Sequence, residues 1–356
     1  MRFFSTTWSS HRALFAVAIQ IAGVALACDG ATSQTPHDGL RFTGVNIAGA
    51  EFGGGKLPGK AGTDYFYPSS ASVDYFAAKG MNTLRVPFRW ERLQPVLGGD
   101  LDAEEFKRLD AVVRYATSRG LNVLLDVHNY ASYRREVIGT QAVPVDALRG
   151  LWGPLAARYK SNDKVIFGLM NEPKGLRTEI WLEAANAAAA AIRTSGARNL
   201  IFVPGNGWSG AHSWLARNYG TPNGEAMLGF SDLAQNYAYE VHQYLDSNFS
   251  GTHPACRNES IGVTTLTPFT QWLRQNHKRA FLGEFGAGAD PTCLAALDAM
   301  LAFLDQNRDV WLGWTYWAAG PWPNDYFTSL QPIDGADRPQ MAVLLRHIAR
   351  RGNGGR

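Results

Sequence analysis

Ile166-Phe167-Gly168-Leu169-Met170-Asn171-Glu172-Pro173 is a mostly apolar run that ends on a carboxylate. A run of this length, closed by a Pro turn, reads as a strand buried on both faces. Far downstream, Ala280-Phe281-Leu282-Gly283-Glu284-Phe285-Gly286 repeats the arrangement. A carboxylate at the end of an apolar strand is costly, because burial disfavours its charged form. Two of them at matching strand ends point to a pair put to work. Paired carboxyls can divide the roles of acid and nucleophile, or of acid and base, around a glycosidic bond.

The strand-then-helix pattern extends to both sides of these runs. Strands are predicted at 42–46, 83–87, 123–127, 166–170, 200–203, 237–241, 280–283 and 311–316. Amphipathic or Ala-rich helices are predicted at 69–79, 103–118, 145–159, 178–194, 266–276, 291–306 and 338–350, with a weaker helical segment at 213–218. Eight such units predict a (β/α)₈ TIM barrel, a fold of about 250 residues plus insertions. A doubly wound open sheet is the alternative. Chemistry favours the barrel: Arg85, His128, Asn171, Glu172, His242, Glu284 and Trp317 gather at or near strand ends. Barrel enzymes build their sites at that face from several strands. Long irregular stretches at 47–67, 204–235, 243–264 and 318–337 also follow strands and would wall a cleft. One catalytic domain is expected over 41–350, after a short polar leader at 28–40 and before a disordered tail at 351–356.

Residues 1–27 read as a secretory signal. Arg2, His11 and Arg12 form a basic start, and Ala13 to Ala27 is apolar except for Gln20. That stretch is short for a membrane span and ends in small residues. Ala25-Leu26-Ala27 fits a simple cleavage site, while Val24-Ala25-Leu26-Ala27-Cys28 also resembles a lipobox that would lipidate Cys28. Both remain open, so the product is expected to be secreted, directly or through a membrane-anchored stage. Cys256 and Cys293 are then a candidate disulfide in an oxidising compartment, or two unpaired thiols; spacing alone does not decide. A net charge of +3, without a basic stripe, argues against nucleic acid as partner. Eleven Trp residues are enough to fill core space and also to supply platforms for the flat faces of sugar rings.

Seven ordered motifs resemble glycoside hydrolase family 5. They are Gly44-Val45-Asn46 with Gly49-Ala50-Glu51-Phe52-Gly53, Leu84-Arg85-Val86-Pro87-Phe88, Asp126-Val127-His128-Asn129-Tyr130, and Gly168-Leu169-Met170-Asn171-Glu172-Pro173, followed by Pro204-Gly205-Asn206-Gly207-Trp208, Gly283-Glu284-Phe285-Gly286 and Trp314 to Trp317. The resemblance implies Glu172 as general acid/base and Glu284 as nucleophile of a retaining hydrolase. It implies Arg85 and Tyr244 as hydrogen-bonding partners of Glu284, and Asn171 as a contact to the sugar 2-hydroxyl. His128 and His242 would orient sugar hydroxyls or the carboxyls. Asn129, Tyr130, Trp208, Trp317 and Trp322 complete the implied substrate contacts. An endo-β-1,4-glucanase is expected, monomeric, acting on β-glucan without metal or organic cofactor; a β-mannanase would share the catalytic pair.

Two other classes compete. One is a carbohydrate-binding protein on a degenerate barrel, against which the intact carboxyls and their polar neighbours argue. The other is a metal-dependent hydrolase using Asp126, His128 and His242. Taken singly, each of these residues reads as well as a structural one: a buried ion pair for the glutamates and Arg85, a satisfied core residue for the histidines. Gly54-Gly55-Lys56-Leu57-Pro58-Gly59-Lys60 has P-loop spacing, but Ala61 replaces the Ser or Thr that would bind Mg²⁺.

Overall fold

The computed structural model describes residues 39–348; the signal at 1–27, the lipobox with Cys28 and the tail at 351–356 lie outside the described residues. Eight parallel strands close into a TIM barrel in chain order: β1 (Phe42–Ile47), β2 (Thr83–Phe88), β3 (Asn122–Val127), β4 (Val165–Gly168), β5 (Ile201–Pro204), β6 (Tyr237–His242), β7 (Ala280–Glu284) and β8 (Trp311–Ala319). Closure comes from β1 and β8, which pair from Phe42 opposite Gly313 onward. That excludes the open doubly wound sheet. Every predicted strand is present, because a buried parallel strand is an apolar run that the chain cannot hide.

The helices are α1 (Ser70–Ala78), α2 (Ala103–Ser118), α3 (Leu148–Tyr159), α4 (Thr178–Thr194), α5 (Ile261–Gln275), α6 (Pro291–Gln306) and α7 (Pro339–Leu344). Three of them start on capping side chains. Ser69, Asp102 and Asp290 accept hydrogen bonds from the backbone N–H of Ser72, Glu105 and Cys293 at 3.1, 2.8 and 3.1 Å. Each such cap contributes about 0.5–2 kcal/mol.

The helix expected at 213–218 does not form. Between β5 and β6 there are only two 3₁₀ turns (Ala211–Ser213 and Met227–Gly229) and a one-turn helix (Asn223–Ala226). Gly207, Gly210, Gly220 and Pro222 punctuate the segment too often for a longer one. Trp214 stands in for a helix face: it is fully buried and packs on Tyr239 of β6 and on Phe269 and Trp272 of α5, with ring centroids 5.0–5.5 Å apart. At the C-terminal end α7 stops at Leu344 and passes into a 3₁₀ turn, short of the predicted 350.

Side chains that meet inside the barrel form a small apolar cluster separate from the larger strand–helix core. Phe42, Phe202 and Phe281 come from β1, β5 and β7, which are not neighbours, and their rings meet at 4.5–6.3 Å. This plug closes the lower barrel. Because side chains alternate along a strand, the same inward face carries Leu124, Asp126 and then His128 past β3, and Ala238, Glu240 and His242 along β6. The plug therefore gives way, two residues higher, to a charged layer.

Candidate active site

Arg85 of β2 occupies the centre of that layer and is wholly buried. Its Nε donates to Glu240 Oε1 at 2.9 Å and one terminal nitrogen to Asn171 Oδ1 at 2.7 Å. The other terminal nitrogen donates to Asn46 Oδ1 at 2.9 Å and Glu284 Oε1 at 2.8 Å, and lies 3.1 Å from Asp126 Oδ2. A planar fork of five donors suits this role; an ammonium would not reach so many partners in one plane. Burial opposes the charge, but Asp126, Glu240 and Glu284 outweigh it and raise the Arg85 pKa.

Glu284 is the last residue of β7, and Glu172 lies just past β4 with a left-handed φ of 44°. One ligating atom from each of Glu172, His242 and Glu284 lies within 4.8 Å of the others. Glu284 is held from two sides, by Arg85 on Oε1 and by the Tyr244 hydroxyl, which donates to Oε2 at 2.9 Å. Glu172 is more accessible, and its Oε1 sits 2.7 Å from Nδ1 of His242. The two carboxyls thus meet in different settings, one clamped and one at the open cleft.

The two histidines also differ. His242 faces carboxylates with both ring nitrogens, Nδ1 toward Glu172 and Nε2 toward Glu240 Oε1 at a long 3.5 Å. Burial works against its charge, yet Glu284 and the contacts to Glu172 and Glu240 prevail and lift its pKa to about 10. It is an imidazolium. His128 faces Asp126 Oδ2 with Nδ1 at 2.7 Å and the Asn171 amide with Nε2 at 3.2 Å. Since Asn171 Oδ1 accepts from Arg85, its nitrogen must donate, so Nε2 of His128 accepts and Nδ1–H donates to Asp126. Burial and then the Arg85 and Arg89 charges push His128 well below its usual range, against the pull of Glu284. Asp126 rises to about 7, chiefly through burial.

Aromatic rings flank the carboxyls. A cleft of about 560 Å³ is lined by Glu172, His242, Tyr130, Lys174, Trp208 and Phe249 among others. Trp208 is 45% exposed, and the Lys174 ammonium sits over both its ring and that of Tyr130. Phe249 stacks on His212 at 4.5 Å. A second group forms around Trp317, which stacks on His128 at 5.5 Å and donates from Nε1 to the Tyr326 hydroxyl at 3.0 Å. Trp322 packs against Phe52 and Tyr326 in the same group. Cys256 and Cys293 are disulfide-bonded, which ties the loop after β6 to α6.

The Asn129 amide oxygen accepts from the Trp90 N–H at 2.9 Å, and its nitrogen donates to Glu91 and to the Ser132 carbonyl. The side chain is spent on shaping the turn that presents Tyr130. The metal set Asp126, His128 and His242 is not assembled, because Asp126 is engaged by Arg85 and His128. Glu172, His242 and Glu284 do converge, with the Arg85 guanidinium 2.8 Å from Glu284 beside them. The sequence reading assigns no role to Glu240, and quotes Asn46 within a motif without giving it one. Asn46 donates to the carbonyls of Gly283 and Thr315 while accepting from Arg85. The available signal was the repeated acid-x-His spacing, which puts both members on one face of a strand.

A family model described as cellulase (glycosyl hydrolase family 5) matches residues 43–320. Endo-beta-1,4-glucanase B of Aspergillus niger is 39% identical over 326 residues, covering 91% of this chain and 95% of that protein. The structure of XacCel5A in complex with cellopentaose is 47% identical with a TM-score of 0.85, covering 86% of this chain and 99% of that one. That of Pseudomonas stutzeri endoglucanase Cel5A in complex with cellobiose is 37% identical with a TM-score of 0.81, covering 87% and 93%.

Proposed function

Because this chain belongs to glycosyl hydrolase family 5, the cellulase family, we propose that it is a secreted, monomeric endo-β-1,4-glucanase that cleaves internal bonds of cellulose-type glucans with retention. One observation carries the reading: the Glu172 and Glu284 carboxyls lie within 4.8 Å, atom to atom, and Glu172 lines an aromatic-walled cleft together with the Tyr244 that holds Glu284. That fits the separation of about 5–5.5 Å of retaining pairs and falls short of the roughly 6.5–9.5 Å that inversion needs for an intervening water. The relatives named for β-1,4-glucan cleavage, and the neighbours bound to cellopentaose and cellobiose, support the substrate class. The disulfide supports an oxidising, extracellular setting.

In this reading Glu284 attacks the anomeric carbon. Arg85 and Tyr244 each hold one of its oxygens, so its orientation is set before substrate arrives. Glu172 gives its proton to the departing glycosidic oxygen, leaving a glycosyl ester on Glu284. It then takes a proton from the water that hydrolyses the ester. His242 orients the Glu172 carboxyl for both steps, since its Nδ1 lies 2.7 Å from Oε1. Asn171 keeps one amide hydrogen free after bonding His128, and that hydrogen meets the sugar 2-hydroxyl. Trp208, Tyr130, Trp317 and Trp322 offer flat faces to successive rings.

Glu284→Gln and Glu172→Gln should each lower hydrolysis of carboxymethyl-cellulose by about 10²–10⁴-fold while leaving the fold and oligosaccharide binding intact. NMR of the first products should show the β-anomer. Near-full activity of either variant, an α-anomer, or a preference for mannan, xylan or xyloglucan over β-1,4-glucan would refute the corresponding part of the proposal.

A further inference from the structure

Glu240 lies on β6, is buried below the cleft and has no place in the steps above. A buried carboxylate is expensive to keep, so its contacts need a reason. They lead in two directions from one atom. Oε1 accepts from Arg85 Nε at 2.9 Å, and Arg85 in turn holds Glu284 at 2.8 Å. The same oxygen lies 3.5 Å from Nε2 of His242, whose Nδ1 holds Glu172 at 2.7 Å. The barrel makes room for this side chain: a Cβ on Gly283 would fall 2.2 Å from Glu240 Oε1, and one on Gly168 would fall 3.5 Å from Oε2.

We infer that Glu240 is a positioning residue that couples the two catalytic carboxyls: its buried carboxylate anchors Arg85, which fixes Glu284, and faces the far nitrogen of His242, which fixes Glu172. This rests on the roles proposed above for Glu172 and Glu284. An imidazole flanked by carboxylates on both sides carries two N–H donors, so its Nδ1–H can only donate to Glu172. The charged groups around the site are Arg85 from β2, Asp126 from β3, Glu172 past β4 and Glu284 from β7; β5, which pairs with β6 beside Glu240, brings none. Glu240 is lowered from its ordinary value, since Arg85 and His242 outweigh the effect of burial. It is therefore the charged partner under His242, while Glu172 and Glu284 change partners during turnover.

Glu240→Gln keeps the shape and the hydrogen-bond acceptor but removes the charge. Nitrogen-15 NMR of the full-length enzyme reads the proton on His242 directly. In the wild type that proton should persist through pH 8, and in the variant it should leave at least about one pH unit lower. On carboxymethyl-cellulose kcat should fall by about 10- to 100-fold with KM within about twofold, the pattern of misplaced reacting groups. Aryl cellobiosides separate the two arms. Read as kcat/KM, which reports the step that forms the glycosyl ester, a dinitrophenyl leaving group needs no proton, so its loss reports the Arg85–Glu284 arm; a phenyl leaving group should lose more, because it also reports the His242–Glu172 arm.

Equal losses on both leaving groups, or kcat within twofold of wild type, would overturn the coupling. If the variant does not fold, the wild-type titration still decides: a His242 that loses its proton near pH 6.5 overturns the inference. A wild type that turns over no aryl cellobioside would instead sink the glucanase reading, and the NMR result would still judge Glu240.

Discussion

Asp126-Val127-His128 at the end of β3 and Glu240-Val241-His242 at the end of β6 are the same three-residue device on two sides of one guanidinium. In each, a buried carboxylate pairs with Arg85 and stands below a histidine two residues on. Their protonation is opposite. At β3 the acid is raised to about 7 and the histidine is neutral; at β6 the acid is lowered and the histidine is charged. The local spacing is shared, so the difference comes from above. His128 meets an amide donor and lies near Arg89, whereas His242 meets Glu172 and Glu284. The β3 arm is a neutral strut that orients Asn171, and the β6 arm is a charged one aimed at Glu172, the proposed acid/base.

Arg85→Ala should break both arms at once. It leaves Asp126, Glu240 and Glu284 without their shared cation, and breaking a buried ion pair costs about 3–5 kcal/mol. Activity should vanish, and the denaturant midpoint should fall accordingly. Gly283→Ala should break one arm only. Its new Cβ collides with Glu240 Oε1, so activity should drop on the order of 10²-fold while the NMR signal of His128 stays in place. Asp126→Asn is the mildest test and sharpens the contrast. The folded-state pKa of Asp126 is raised from 3.8 to about 7, so the folded protein binds the extra proton between those values. Stability from this residue is full below pH 4 and declines as pH rises toward 7, by at most about 1.4 kcal/mol per pH unit. Chemical denaturation from pH 4 to 7 should show that slope in the wild type and its loss in the variant; an unchanged slope would place the titration elsewhere.

Much of this was legible in one dimension. The eight strands are apolar runs, and Glu172 and Glu284 stand out because a carboxylate at the end of such a run needs a purpose. The charged layer was not legible in the same way. Asp126 and Glu240 interrupt apolar strands, as Leu124-Leu125-Asp126-Val127 and Ala238-Tyr239-Glu240-Val241 show, but only barrel closure brings Arg85 between them. The surroundings of Asn129 were not legible for a related reason: the turn that engages its side chain depends on Trp90 and Glu91, from the short helix Trp90–Leu93 after β2. No helix forms at 213–218 because local propensity yields there to the burial of Trp214 against β6 and α5, which settles the local path.

That indole has a consequence for how the cleft can change. The segment between β5 and β6 carries Trp208, His212 and Tyr219 on the cleft wall, yet irregular loops pinned by one buried ring support them where a full helix would be expected. A helix resists insertion in its middle, whereas doubling a loop adds only about 0.6 kcal/mol of closure entropy. This sector of the ring can be lengthened, trimmed or exchanged while the strands beneath keep their register. The wall meets the catalytic floor at Trp214 and again at Ser209, which accepts from the His242 N–H and donates to the Glu240 carbonyl, so changes in length belong to the stretch outside those two ties.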